Sequence, residues 1–348
     1  MNEPPATDRP TWSRTTKRVA KLALTAMVLF FVARQVLQAR RDLLARGLTW
    51  GVDWHWLALA VGLYVLGLAA LGVYFWRVLA SSPTPVGFYP AVRAYLISHL
   101  AKYVPGKAMV VVVRSALVVP AGARPATAAF ATLYETLAMM AAGGLLAAAG
   151  FASLRGADPP GPSVALPGLG DRSVSVEVVL AGVSLLAGIG FLVLVWPSVF
   201  PRLAGLIRRP LRGVGADALP RLGGLLLLEG LAWAALGWTL LGLSQVAVIA
   251  ALTQVGSDED IRFNIPPAGW PAVVASVALA TVAGFAVPVA PGGLGVREWV
   301  LWTALGSTLD RDWAVVAALV LRMVWIGGEV GVAGVLYLIP PRARRVAG

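Results

Sequence analysis

Cysteine is absent from the 348 residues, and histidine occurs only twice, at His55 and His99. The first absence excludes disulfides and thiolate metal sites and leaves the redox compartment unmarked; the second leaves almost no imidazole for acid–base or metal chemistry. Charge is scarce as well. Charged residues make up 13% of the chain, against about 25% in a soluble domain. Hydrophobic residues make up 58%, and mean hydropathy is +0.77. No Gly-x-Ser-x-Gly elbow, aspartate cluster or nucleotide-binding motif is present. Such a chain belongs in a bilayer, and its chemistry must be carried by a few charges in an apolar setting. The sequence therefore predicts no catalytic residues, no metal and no cofactor: the chain reads as not an enzyme.

The net charge of +12 would suggest nucleic acid in a soluble protein, but here the basic residues sit in short loops between apolar runs. They read as topology determinants facing anionic lipid, with no nucleic-acid partner. Stretches near the ~20 residues that cross a bilayer fall at 19–38, 54–80, 126–152, 174–196, 222–252 and 312–339. Two further apolar segments, 88–119 and 270–306, are interrupted by proline and glycine. The first break is Lys102-Tyr103-Val104-Pro105-Gly106-Lys107. The second runs from Pro288 through Pro291-Gly292-Gly293-Leu294-Gly295-Val296-Arg297-Glu298.

Broken backbone at membrane depth is tolerated only where protein or a water-filled cavity satisfies its amides. Paired breaks in corresponding positions of two halves point to a transporter's binding site. If both segments turn back, most loop arginines and lysines collect on the side of the N-terminus, including the five arginines of 197–221; if both crossed, those five would be exported, against the positive-inside tendency. The expected fold is therefore an all-α polytopic integral membrane protein: about six full spans plus two Pro-Gly-broken re-entrant hairpins in an inverted repeat. The expected domains are a disordered tail at 1–16, a first membrane repeat at 17–160, a Pro/Gly-rich connector at 161–173, a second membrane repeat at 174–340, and a basic tail at 341–348. The arginine- and leucine-rich stretch within 197–221 reads as a short helix on the inner leaflet. The expected location is the plasma membrane of a prokaryote, with both termini cytoplasmic.

Hairpins entering from opposite faces bring their tips together near the midplane, and helices restarting after the glycines offer free amides to an anion. Lys102, Lys107, Arg114 and Arg297 would add full charges. Within the spans, Glu135, Glu229, Arg322 and Glu329 are costly enough, at roughly 2.5–3.5 kcal/mol each on insertion scales, that they should face the interior. Arg322 and Glu329, seven apart, share one helix face; they serve either the cavity or the locking of helix register. Glu229, close to Arg221, reads as interfacial. His55 reads as part of an aromatic interface belt, and His99 as a packing residue.

Together these motifs resemble the membrane domain of the lysylphosphatidylglycerol synthases, which also occurs alone in flippase-like proteins. The resemblance covers roughly 15–340 and rests on Lys102–Lys107 with Arg114, on Glu135, on Pro291–Glu298 and on Arg322. It implies translocation of a lipid between leaflets. It carries a substrate-binding role onto Lys102, Lys107, Arg114, Glu135, Arg297, Glu298 and Arg322, and a hinge role onto Pro105, Gly106, Pro291, Gly292, Gly293 and Gly295. The synthases add a soluble aminoacyl-transfer domain, whereas this sequence ends eight residues past Pro340, so it is not expected to make the modified lipid. The expected substrate is an anionic phospholipid or a polyprenyl-phosphate lipid, moved downhill or with Glu135 or Glu298 as proton carrier. The expected partners are membrane lipids through their anionic headgroup, with a second copy or a separate lipid-modifying enzyme as protein partners. The alternatives are a secondary transporter of a small anionic solute and an intramembrane enzyme acting on a lipid phosphate.

Overall fold

The structure, a computed structural model, describes residues 50–104, 108–154, 163–165, 173–208, 220–254, 261–286, 296–306, 309 and 311–339, together with Ala26, Phe30, Arg34, Leu37 and Arg41. Within these, ten continuous α-helices account for most of the chain: α1 (Trp54–Ala80), α2 (Phe88–Ser98), α3 (Ala108–Val118), α4 (Pro125–Ala152), α5 (Val176–Val195), α6 (Phe200–Arg208), α7 (Gly224–Ala251), α8 (Trp270–Ala286), α9 (Val296–Leu305) and α10 (Arg311–Leu338). Six helical stretches among the described residues are long and apolar enough to cross a membrane. Five coincide with spans read from the sequence. The sixth is Pro267–Ala286, the leading arm of the second interrupted segment. The helix described up to Ala286 is of full spanning length.

Of the first predicted span, 19–38, the four described residues Ala26, Phe30, Arg34 and Leu37 are helical and exposed, as is Arg41 just beyond it. The tails 1–16 and 341–348 lie outside the described residues.

The chain is not purely helical. Strands β1 (Trp50–Val52), β4 (Leu252–Gln254) and β5 (Ile261–Arg262) form a small antiparallel sheet in the order β1-β4-β5, with Val52 opposite Leu252. Across the predicted connector, β2 (Ser163–Ala165) pairs with β3 (Ser173–Ser175), which begins on the connector's last residue. Strands of two or three residues are too short to show alternation, so no pattern in the sequence marks them.

Glycine sets the helix spacing. Transmembrane helices gain little from excluding lipid, so they associate where small residues let backbones approach. A Cβ on Gly144 of α4 would stand 2.5 Å from the Gly188 amide nitrogen of α5, and one on Gly188 would stand 2.7 Å from the Leu145 nitrogen. On the α1–α7 seam, Gly237 faces the Gly67 carbonyl in the same way. Gly144→Ala is therefore expected to force α4 and α5 apart, at about 1–3 kcal/mol of overpacking, read as a lowered melting temperature in detergent. Outward, large apolar side chains such as Leu186, Leu225 and Leu228 stand exposed, as a lipid-facing surface requires.

The helix ends sort into two groups. At the sheet end lie the start of α1 and the close of α7, joined by the strands and by Asp53 N–H donating to the Ala251 carbonyl at 2.9 Å. The close of α4 also reaches this end, where Gly150 meets the Pro271 carbonyl. The start of α10 is here too, with Trp313 against Phe263 at 4.4 Å. At the opposite, basic end, the Arg221 N–H donates to the Ser81 carbonyl at 3.1 Å. The root of α2 meets the last turn of α10: Arg93 Nε donates to the Leu336 carbonyl at 2.8 Å and Tyr89 OH to that of Ile339 at 2.7 Å. The amphipathic α6 follows α5 there and packs Phe200 edge-on against Tyr134 of α4. The first interrupted segment thus begins and ends at the basic end, with α2 packed on α3. The second begins and ends at the sheet end, with α8 packed on α9.

Candidate functional site

After α2 the backbone tightens into a 3₁₀ turn, His99–Tyr103, closed by the Val104 N–H donating to the Ala101 carbonyl at 3.2 Å. A 3₁₀ turn places side chains three apart on one side, so His99 and Lys102 point the same way. Both reach the Glu329 carboxylate of α10. Lys102 Nζ donates to Glu329 Oε1, Tyr64 OH of α1 donates to the same oxygen, and His99 Nε2 lies 3.9 Å from it. Tyr64 lies close to the middle of α1, and Trp325, one turn before Glu329, is at the middle of α10. Their rings stack at 4.4 Å.

From the other interrupted segment comes Arg297, at the start of α9. Its guanidinium lies over the Trp325 ring, 4.1 Å from the centroid, a cation–π contact worth about 0.5–2 kcal/mol. Arg297 acts electrostatically on Tyr64, His99, Lys102 and Tyr103, and Arg322 acts on Lys102 and Tyr103. Among the described residues, Glu329 is the one carboxylate acting on this group. Three basic side chains therefore gather near a single described carboxylate at mid-height. The Glu329 side chain is 0% exposed and that of Lys102 is 22% exposed, so the group has an open side at the lysine.

Arg114 and Glu135 form a separate, closed unit. Arg114 Nη1 donates to Glu135 Oε2 at 2.8 Å and Nε donates to Ser98 Oγ at 3.0 Å, while Tyr95 OH donates to Glu135 Oε1 at 3.2 Å. The guanidinium lies against the Tyr95 and Phe75 rings, 4.1 and 5.0 Å from their centroids. The two residues are 2% and 1% exposed. Their charges cancel locally, and the pair ties α3 to α4 and to the end of α2. Glu229, at the basic end, is held not by Arg221 but by Arg77 of α1, through two bonds of 2.6 and 3.0 Å. This pair is part-exposed, where an ion pair contributes about 1 kcal/mol or less. Exposed His55 hydrogen-bonds its neighbour Asp53 at the helix start.

Of the residues named from the sequence, Lys102, Arg297 and Arg322 are brought together, and Arg114 and Glu135 are brought together elsewhere. Lys107 and the break residues Pro105, Gly106, Pro291, Gly292, Gly293 and Gly295 lie outside the described residues. Of Glu298 the backbone alone is described, as part of α9. Glu329, Tyr64, Trp325 and His99 were not among the site residues. Glu329 carried a signal, an acid within a span, but its sequence partner was Arg322, whereas the fold gives it Lys102. Tyr64 and Trp325 look like packing aromatics in apolar helices. Among the described residues, no three of His, Asp and Glu gather closely enough to hold a metal ion. No protein-family model matches the chain, and no curated protein is significantly similar to it.

Proposed function

We propose that the protein is a lipid translocase that carries an anionic headgroup, a phospholipid or polyprenyl phosphate, past the Lys102–Glu329–Arg297 cluster while the acyl tails stay in the bilayer. The observation that carries this reading is the convergence of one cation from each interrupted segment on neighbouring turns of α10, Lys102 on the Glu329 carboxylate and Arg297 on the Trp325 ring one turn before it. The common starting and finishing ends of the two segments support re-entrant hairpins entering from opposite faces, hence an inverted repeat of the 17–160 and 174–340 halves. The basic end is then the cytoplasmic one, with both termini on that side of a prokaryotic plasma membrane. Lysine offers a compact charge and arginine a planar fork that grips phosphate through two bonds, so the two tips together suit a phosphate. The sequence resemblance to the membrane domain of lysylphosphatidylglycerol synthases favours a lipid over a free solute.

Proteoliposomes holding fluorescent phosphatidylglycerol in both leaflets test the reading. Dithionite is expected to bleach past the half-signal plateau of empty vesicles, and phosphatidylglycerol is expected to move about tenfold faster than zwitterionic phosphatidylcholine, an electrostatic preference of about 1.4 kcal/mol. A plateau fixed at one half for both lipids, with uptake of soluble phosphate instead, would assign the cluster to a small anionic solute.

A further inference from the structure

Resting on that reading, we propose that Glu329 stands in for the travelling phosphate, and that it takes up one proton each time a phosphate replaces it, so that headgroup and proton cross together without net charge.

Glu329 occupies the place an anionic ligand would take. Its Oε1 accepts from Lys102 and Tyr64, with His99 Nε2 at 3.9 Å. Its Oε2 is buried and has no hydrogen-bond partner among the described residues. An unsatisfied carboxylate oxygen in a buried site costs free energy, and protonation of that oxygen is one way to relieve it. When a phosphodiester arrives between Lys102 and Arg297, two anions share one site. Confined together away from bulk water, the two anions repel strongly. The carboxylate cannot retreat to water, because its side chain is fully buried near the middle of α10.

The groups that meet it are Tyr64 on α1 and His99, Lys102 and Tyr103 on the 3₁₀ turn; Arg297 on α9 and Arg322 on α10 act on those groups in turn, and Arg114 on α3 acts on His99. Glu329 is the acid among them, so a proton from water on Oε2 converts carboxylate to neutral acid and leaves both tip cations to the phosphate. On release to the far side the phosphate departs, the proton returns to water there, and the carboxylate closes on Lys102 again. One negative and one positive charge have then crossed.

The experiment uses the full chain in proteoliposomes with labelled phosphatidylglycerol, a pH difference of about one unit, and the membrane potential clamped by potassium and valinomycin. Wild type is expected to gather the lipid about tenfold in the leaflet facing the alkaline compartment, the ratio for one proton per lipid, with an internal pH dye recording protons moving alongside. Glu329→Gln keeps the shape and loses the titration; it is expected to move lipid without following the pH difference and to respond to an imposed potential instead. A wild-type distribution indifferent to pH overturns the coupling, and so does a Glu329→Gln protein still driven by it. Should the variant not fold, the wild-type arm alone decides. Wild type that moves no lipid refutes the translocase reading; the same pH protocol with entrapped inorganic phosphate then tests Glu329, accumulation with the gradient supporting the coupling and its absence overturning it.

Discussion

Glu135→Ala is expected to lower stability by about 3–5 kcal/mol, the loss that follows when one partner of a buried ion pair is removed and the other charge is left uncompensated. Arg114 would then keep Ser98 as its hydrogen-bond partner, with the Tyr95 and Phe75 ring faces beside it, in a site 2% exposed. The measurement is thermal or denaturant unfolding in detergent. The double replacement Arg114→Met with Glu135→Leu removes both charges together and is expected to recover most of the loss, since buried pairs exchanged for apolar residues of similar volume are often neutral or better. The same double variant separates two roles. A folded variant that still moves lipid marks the pair as a brace of α3 on α4; a folded variant that moves none places it in the substrate path.

Arg297→Ala is expected to slow phosphatidylglycerol transfer by about 10- to 100-fold, equivalent to about 1.5–3 kcal/mol for hydrogen bonds to a charged group, with little change in melting temperature. Arg297→Lys is expected to recover only part of the rate. Lysine restores the charge but neither the planar two-bond grip nor the flat stacking over Trp325. The leaflet assay reads both variants, and wild-type rates in Arg297→Ala would remove this residue from the transfer step.

The spans were legible because bilayer thickness imposes a length that a run of apolar residues records directly. The readings at 54–80, 126–152, 174–196, 222–252 and 312–339 agree with α1, α4, α5, α7 and α10 to within two residues. The first interruption was legible for the same reason in reverse, since proline and glycine inside an apolar run disfavour the helix that the run would otherwise form, and α2 gives way to a 3₁₀ turn at His99. The arrangement of the charges was less so. Arg322 and Glu329 lie on one helix, which makes them natural partners on paper, yet Glu329 is met from α1 and from the 3₁₀ turn. Such partnerships depend on which helices become neighbours, a property carried by Gly67, Gly144, Gly188 and Gly237 and not by the charged residues. Tyr64 was invisible because a tyrosine in an apolar helix has the same local pattern whether it packs or binds.

The first interrupted segment holds α10 at three heights. Lys102 grips Glu329, Arg93 reaches the Leu336 carbonyl and Tyr89 that of Ile339. Those attachments span ten residues of the chain, about 15 Å along the helix axis. Two rods riveted over such a length cannot pivot on one another and must travel as a single strut. The α8–α9 pair meets that strut at Arg297 over Trp325 and is rooted at the opposite end. On the translocase proposal, a headgroup would be admitted or released where the α8–α9 pair parts from that strut.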